Sequence, residues 1–310
     1  MAAITTALFP ILVPILLGAF LKRIGFLPAE AWTGLEKLTY YVLFPSLLVH
    51  TLGRQTIAAV PWPGILLTVA VTLTAAAAAL VLWHRLRPSV SGPTFTSIFQ
   101  GGVRFNTYIA LAVAAAFFGP EGLAMSAVAA GFMIVLINLY CIAALSVWGS
   151  APVRGVVPLA RAVLGNPLIV ACALGWTLSL SGIGVPGVAA DVLEVIGRAA
   201  LPFGLLAVGA ALQPEAVRGH LRPALVASVV QFGLKPLLAA LLIGLTGLTG
   251  AAAGAVAIAL VVPTATSSYI LARQLGGDAP AMASIVTFQT LAAFVVMPAV
   301  LLWLGAPGLP

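Results

Sequence analysis

Long apolar runs alternate with short polar connections along the whole chain. Ten of these runs are close to the roughly 20 residues with which a helix crosses about 30 Å of hydrocarbon. They cover approximately residues 4–21, 36–52, 64–83, 94–118, 122–148, 158–180, 195–212, 223–245, 251–275 and 281–304. The runs lack the short, alternating pattern of β-barrel strands. The pattern therefore predicts an all-α polytopic membrane protein with ten transmembrane helices.

The two halves of the chain share residues at a constant spacing. Pro10 matches Pro167 (167 − 10 = 157), and Thr107 matches Thr264 at the same spacing. Further pairs are Gly18 with Gly175, Pro45 with Pro202, Glu121 with Asp278, and Met125 with Met282. We therefore expect residues 1–148 and 149–310 to be two copies of one five-helix repeat. Five crossings are an odd number, so the second copy would be inverted relative to the first, as in many secondary transporters.

Composition and charge agree with a membrane location. Hydrophobic residues make up 62% of the 310 residues and charged residues only 7%, against about 25% charged in soluble domains. Basic residues concentrate in the connections after odd-numbered runs, namely Lys22, Arg23, Arg85, Arg87, Arg154, Arg161, Arg218, Arg222 and Arg273. The opposite side has Arg54, with Arg198 near the end of a run. The positive-inside rule therefore predicts a multi-pass protein of the inner (cytoplasmic) membrane with both termini on the extracytoplasmic side.

The first run, residues 4–21, has no basic residue in front of it and no small-residue cleavage site behind it. We therefore expect a retained membrane span and not a signal peptide.

A polar stretch interrupts the middle of the fourth run. Gly101 and Gly102 precede Arg104, and the hydrogen-bonding residues of the stretch are Asn106, Thr107 and Tyr108. Polar groups at membrane depth usually face a cavity or a partner, so this stretch is a candidate site. For Arg104, a structural ion pair and a side chain that reaches the headgroups remain alternatives to substrate contact.

The ninth run has a matching interruption. Pro263 follows Asn106 by 157 residues (263 − 106 = 157) and is followed by Thr264, Thr266 and Ser267. A proline within a helix removes a backbone donor and clashes with the preceding turn. Two such broken helices would direct their N-termini, with free N–H groups and partial positive charge, at one point that suits an anion. The alternative is a tolerated kink in which Ser and Thr bond to their own helix.

Other polar residues in the runs are supporting candidates. Lys235 in the eighth run could hold substrate charge or couple transport to a proton, or simply neutralise a helix C-terminus. Asn138 and Gln289 could complete a polar lining, or form hydrogen bonds between helices. Tyr40 and Tyr41 lie near a run end, where an interfacial position is expected.

The residues needed for other kinds of chemistry are missing. All seven acidic residues lie in connections or at run edges, so no carboxylate is expected at mid-depth: Glu30, Glu36, Glu121, Asp191, Glu194, Glu215 and Asp278. No nucleophile–base arrangement or ligand cluster is visible, so we expect no enzyme activity, no metal site and no cofactor. Cys141 and Cys172 lie inside runs and are expected to be small packing residues.

Several short segments resemble bacterial members of the auxin efflux carrier family. They are FPILVPILLG at 9–18, GFLP at 25–28, residues 41–48, RFNTYI at 104–109, GNP at 165–167 and residues 200–211. The resemblance covers essentially the whole chain. This family includes the plant PIN auxin carriers and is related to the bile acid:sodium symporters.

The resemblance implies a scaffold made of helices 1, 2, 6 and 7 and a transport domain made of helices 3–5 and 8–10. It also implies that helices 4 and 9 are broken and cross, with an asparagine at the crossing that binds the substrate carboxylate. Asn106 and Pro263 occupy the matching positions, but no proline accompanies Asn106, so Gly101 and Gly102 are expected to produce that break. The acidic sodium ligand of the symporters has no counterpart between Val261 and Tyr269, which argues against coupling to Na⁺.

The sequence thus predicts a secondary transporter of a small organic anion, a mono- or dicarboxylate of the malonate or auxin type, that works by an elevator mechanism. The expected substrate-binding residues are Arg104, Asn106, Thr107, Tyr108, Pro263, Thr264, Thr266 and Ser267, supported by Asn138, Lys235 and Gln289. The alternatives are a Na⁺- or H⁺-coupled symporter and a membrane sensor that binds a ligand without moving it. The expected partners are the lipid bilayer and a second copy that pairs through the scaffold, and no nucleic acid.

Overall fold

The computed structural model describes residues 2–55, 60–150 and 164–303, which form helices and no β-strand. The helices of the first half are α1 (Ala2–Arg23), α2 (Ala29–Leu38), α3 (Phe44–Gly53), α4 (Trp62–Leu86), α5 (Gly92–Val103) and α6 (Thr107–Trp148). Those of the second half are α7 (Pro167–Leu180), α8 (Gly187–Arg198), α9 (Ala200–Ala210), α10 (Pro214–Gly219), α11 (Leu221–Val229), α12 (Lys235–Thr246), α13 (Gly250–Val261), α14 (Ser267–Gln274) and α15 (Ala279–Trp303).

Several helical stretches are long and apolar enough to cross a membrane. Five of them in the described residues have at least 18 residues, namely 62–86, 92–148, 187–210, 221–246 and 279–303. Two shorter apolar helices are α7 and α13. The chain is therefore a polytopic α-helical membrane protein, as predicted. Arg154, Arg161 and the first part of the sixth predicted span, residues 158–163, lie outside the described residues.

Two π-helical turns adapt long helices to internal prolines. Residues 39–43 join α2 to α3 and end two residues before Pro45, and residues 230–234 join α11 to α12 and end two residues before Pro236. Because proline has no N–H and its ring displaces the carbonyl four residues earlier, a wider turn accommodates it without ending the helix. The helix that carries Lys235 therefore stays continuous through Pro236.

The helices pack in two groups. In one, α1 packs against α9, and α3 packs against α7 and α8. In the other, α13 packs against α6, α12 against α4, and both α5 and α11 against α15. The element α6 consists of two helical segments that meet at a kink at Gly119 (φ 58°, ψ −148°). It touches both groups, because it also contacts α1, α3, α7 and α9. The interruptions between α5 and α6 and between α13 and α14 lie in the second group.

Candidate functional site

The first interruption is an extended segment at residues 104–106. The backbone is extended at Arg104 (φ −71°, ψ 163°), and α6 begins at Thr107 with Asn106 as its N-cap. The side-chain Oδ1 of Asn106 accepts hydrogen bonds from the N–H groups of Tyr108 and Ile109, at 3.0 and 3.2 Å. This cap leaves the Nδ2 donor of Asn106 buried and without a partner among the described residues.

The two glycines before this interruption have a role in packing. Gly101 and Gly102 lie in the last turn of α5, before the break. A Cβ at Gly101 would lie 2.5 Å from the Ile285 side chain, and one at Gly102 would lie 2.8 Å from Leu80. Both glycines are helical, so the break that they were expected to produce lies after them, at residues 104–106. Helix α5 ends at Val103, and Asn106 caps the next helix, α6.

The second interruption lies against the first. Helix α13 ends at Val261, and the carbonyl of Pro263 accepts a 2.7 Å hydrogen bond from the N–H of Asn106. The hydroxyl of Thr264 reaches across to the carbonyl of Gln100 at 3.4 Å, besides its 3.3 Å contact with Ser268. Each break leaves backbone N–H and C=O groups without partners in their own helix, and some of these groups form hydrogen bonds with the other break. Such bonds are needed within a membrane, because lipid offers no hydrogen-bond partner.

Gln289 on α15 connects the two interruptions. Its Oε1 accepts from the Thr264 N–H at 3.0 Å, and its Nε2 donates to the Gly101 carbonyl at 2.9 Å. Both polar atoms of the buried carboxamide are therefore committed to the backbone. Gln289 thus holds the two interruptions together, and it does not line the adjacent cavity. We call the region where the interruptions at residues 104–106 and 262–266 meet the crossing.

A cavity of about 470 Å³ opens beside the crossing. Seven of the predicted site residues line it: Arg104, Asn106, Thr107, Tyr108, Asn138, Thr266 and Ser267. Pro263, Thr264, Lys235 and Gln289 do not. The cavity wall also includes the apolar side chains of Phe105, Ile134, Ile137, Ile142, Leu168, Ile270 and Leu271.

Arg104 lies at the wall of this cavity with its charge unpaired. It is 8% exposed, and its Nη2 donates to Asn138 Oδ1 at 2.6 Å. Its Nε is buried without a partner, and no acidic group of the described chain lies within 4.0 Å of the guanidinium. Within the described residues, the structural ion pair considered from the sequence is therefore absent, and Asn138 helps to orient this arginine.

Lys235 lies behind the crossing and away from the cavity. Its side chain is fully buried, and Nζ donates to Gln231 Oε1 at 2.8 Å. The Nε2 of Gln231 in turn donates to the carbonyl of Val262, the first residue of the second interruption. The structure thus connects Lys235 to the crossing through Gln231 and does not bring it to the cavity with Arg104 and Asn106.

Residues of the second helical run also line the cavity, although the sequence did not indicate them. Glu36, Lys37 and Tyr40 contribute from one face of α2 and the turn after it, together with Thr33 and Tyr41. The tyrosine pair, for which an interfacial position was expected, thus also borders the cavity. A carboxylate also borders the site, although none was expected there. The spacing of residues 33, 36, 37 and 40 along one helix face was the available signal.

Asn166 and Gln274 are further lining residues that the sequence did not indicate. Asn166 caps α7 in the same way that Asn106 caps α6, because its Oδ1 accepts from the N–H groups of Leu168 and Ile169. An asparagine directly before a helical proline, as in Asn166–Pro167, was a visible N-cap signal.

Hydrogen-bond donors and positive charge dominate the crossing side of the cavity. The first residues of α6 and α14 both line it, so the partial positive charge of two helix N-termini faces the same space. Arg104 and Asn106, whose Nε and Nδ2 donors are buried without a partner in the described chain, also line this cavity. Such an arrangement favours a bound anion with planar acceptor oxygens, such as a carboxylate.

Comparison with known proteins points to membrane transport. Residues 153–303 match the family model described as "Membrane transport protein". A protein named "Uncharacterized transporter" from Methanothermobacter thermautotrophicus is 25% identical over 297 residues, which is 95% of this chain and 96% of that protein. The second half of the chain is thus similar to a family of membrane transport proteins, and nearly the whole chain is similar to a transporter, which supports a membrane transporter.

Proposed function

We propose that this transporter carries a small organic anion, and that the carboxylate of the anion binds at the helix crossing. The observation that supports this most strongly is that two residues lining the cavity, Asn106 and Arg104, each have a buried donor, Nδ2 and Nε, without a protein partner in the described chain. A buried donor without an acceptor costs about 1–3 kcal/mol. A bound carboxylate would remove that cost and neutralise the guanidinium.

The proposal includes an inverted repeat of five helices. The two helices before the interruptions each have 12 residues, and their starts differ by 158 (250 − 92 = 158). Glycines with positive φ lie beyond the two interruptions at the same spacing (276 − 119 = 157), Gly119 at the kink within α6 (φ 58°) and Gly276 after α14 (φ 75°). These correspondences support two copies of one unit, residues 1–148 and 149–310, related by inversion.

The proposed mechanism is elevator-like alternating access. The group formed by α4–α6 and α11–α15 contains the crossing and would carry the anion, while α1–α3 and α7–α9 would form the scaffold. The cavity supports this division, because it lies between the crossing and residues of α2 and α7. Movement of one group against the other would then change the side of the membrane to which the bound anion has access.

The test is counterflow of radiolabelled small carboxylates in proteoliposomes. Asn106→Asp keeps an oxygen that can cap α6 but replaces the Nδ2 donor with a second acceptor and adds a negative charge. We expect counterflow to fall to background while the thermal unfolding midpoint stays close to that of the wild type. Arg104→Gln should also abolish counterflow, whereas the matched change Arg198→Gln, at an exposed arginine paired with Glu194, should not.

Two other results would contradict the proposal. Wild-type counterflow rates in Asn106→Asp and Arg104→Gln would show that the carboxylate binds elsewhere. Saturable binding of a carboxylate without counterflow would indicate a sensor. Uptake that depends on an imposed Na⁺ gradient would establish coupling to that ion.

A further inference from the structure

The charged side chains that line the cavity do not cancel. Among the described lining residues they are Arg104 and Lys37, which are basic, and Glu36, which is acidic. The lining therefore has one excess positive charge, and a bound anion with one negative charge would balance it. Charge balance matters more here than in water, because burial strengthens each electrostatic interaction.

Glu36 is placed to influence a ligand in this cavity. It lies on α2, on the same helix face as Thr33 and Tyr40, and borders the cavity together with the residues of the crossing. Arg104 lines the same cavity from the segment between α5 and α6. The carboxylate of Glu36 and the guanidinium of Arg104 therefore belong to two elements that border one small volume.

Glu36 is not neutralised by a neighbouring cation. No basic nitrogen of the described residues lies within 4.0 Å of its carboxylate, and the ion pairs of the described chain involve Glu194 instead. Lys37 is exposed, whereas Glu36 is half-buried. Water therefore screens the lysine more strongly than the glutamate. The negative charge of Glu36 remains available to repel a second negative charge on a ligand.

We propose that Glu36 determines the charge of the anion that the carrier accepts, so that the site takes monoanions and disfavours dicarboxylates. This inference rests on the proposed function and narrows its substrate class. The first carboxylate of a dicarboxylate would bind at Arg104 and Asn106. Its second carboxylate would then share the cavity with Glu36, while the remaining cation of the lining, Lys37, is exposed and screened by water.

The experiment compares two anions of nearly equal size and different charge. Malonate is a dianion at slightly alkaline pH, and its monoamide, malonamate, is a monoanion. We expect the wild type to prefer malonamate in counterflow competition. Glu36→Gln should shift the malonamate-to-malonate ratio about tenfold toward malonate, which corresponds to the loss of one like-charge repulsion at short range.

The same helix provides matched controls. Glu30→Gln makes the identical change on α2 at an exposed residue that does not line the cavity, and it should leave the ratio unchanged. Lys37→Gln removes a positive charge and should shift the ratio in the opposite direction, by less because Lys37 is exposed. This variant also tests the inference if the Glu36→Gln protein does not fold.

The possible outcomes separate this inference from the proposed function. If Glu36→Gln leaves the malonamate-to-malonate ratio unchanged while Asn106→Asp abolishes counterflow, only the role of Glu36 is overturned. A wild type that prefers malonate would overturn it as well. If the wild type neither binds nor exchanges either acid, both the inference and the proposed carboxylate function are wrong.

Discussion

At the scale of single residues, Gln289 shows how a membrane protein can hold two interrupted helices together. One carboxamide accepts from a backbone N–H of one break and donates to a backbone carbonyl just before the other. Both of these backbone groups are buried, and neither can turn to water. The side chain therefore matters for the geometry of the crossing, although it does not reach the cavity.

Replacing Gln289 should destabilise the protein. Gln289→Leu keeps the apolar volume but leaves the Thr264 N–H and the Gly101 carbonyl without these partners, at an expected loss of about 2–4 kcal/mol in the free energy of unfolding. Thermal unfolding can be followed with a thiol-reactive dye, because both cysteines are buried in the folded protein. The exposed Gln213 gives the control, and Gln213→Leu should change stability by less than about 0.5 kcal/mol. Equal midpoints for Gln289→Leu and the wild type would show that the crossing does not depend on this carboxamide.

At the scale of helices, close approach between α1 and α9 depends on glycines. A Cβ at Gly18 would overlap the carbonyl of Leu206, and a Cβ at Gly209 would overlap the carbonyl of Ile15. The obstructing atoms belong to the backbone, so no side-chain rotation can make room for them. Small residues at such contacts are typical of helix pairs in membranes, where close packing drives association.

An alanine at Gly209 should therefore force these helices apart. We expect Gly209→Ala to lower the free energy of unfolding by about 1–3 kcal/mol, the usual cost of overpacking. Gly244→Ala is the matched control, because Gly244 lies within α12 with open space around its Cα. Its replacement should leave stability unchanged or raise it by about 0.5–1 kcal/mol, because glycine is unfavourable inside a helix. Equal midpoints for the two variants would contradict the backbone contact between α1 and α9.

The same scale shows what the sequence could and could not predict. The uniformly apolar third run was predicted at 64–83 and forms α4 at 62–86, because hydropathy alone determines such a helix. The second run was predicted to begin at residue 36, but α2 begins at Ala29. The first part of α2 contains polar residues that line the cavity. Because a hydropathy scan counts only apolar stretches, the predicted run omitted this part of the helix.

The crossing was predictable in position but not in detail. A proline and a polar stretch in apolar runs indicated both interruptions near Asn106 and Pro263, and the structure brings these residues into direct contact. Two details were not predictable: Gln289 connects the breaks, and Glu36 shares a cavity with Arg104. Both depend on contacts between residues that are far apart in the sequence. Helical periodicity carries no information about such contacts.

At the scale of the whole molecule, the boundary between the two proposed groups passes between α6 and α7. Phe132 of α6 stacks on Trp176 of α7, with ring centroids 5.6 Å apart. Nearby, a Cβ at Gly131 would lie 3.5 Å from the Sγ of Cys172. The thiol of Cys172 on α7 therefore lies close to Gly131 on α6, across the boundary.

A covalent link at this boundary would test the proposed movement. In Gly131→Cys, membrane-permeant oxidation should form a disulfide with Cys172, and counterflow should fall to background and return after reduction. The new side chain also comes within 2.9 Å of the Trp176 ring, so Gly131→Ser controls for crowding and should be insensitive to oxidant. Adding Cys172→Ser to Gly131→Cys should likewise remove the sensitivity. A crosslinked protein that still exchanges its substrate at the unlinked rate would show that α6 does not move against α7, because a disulfide spanning a sliding interface cannot permit the transport cycle.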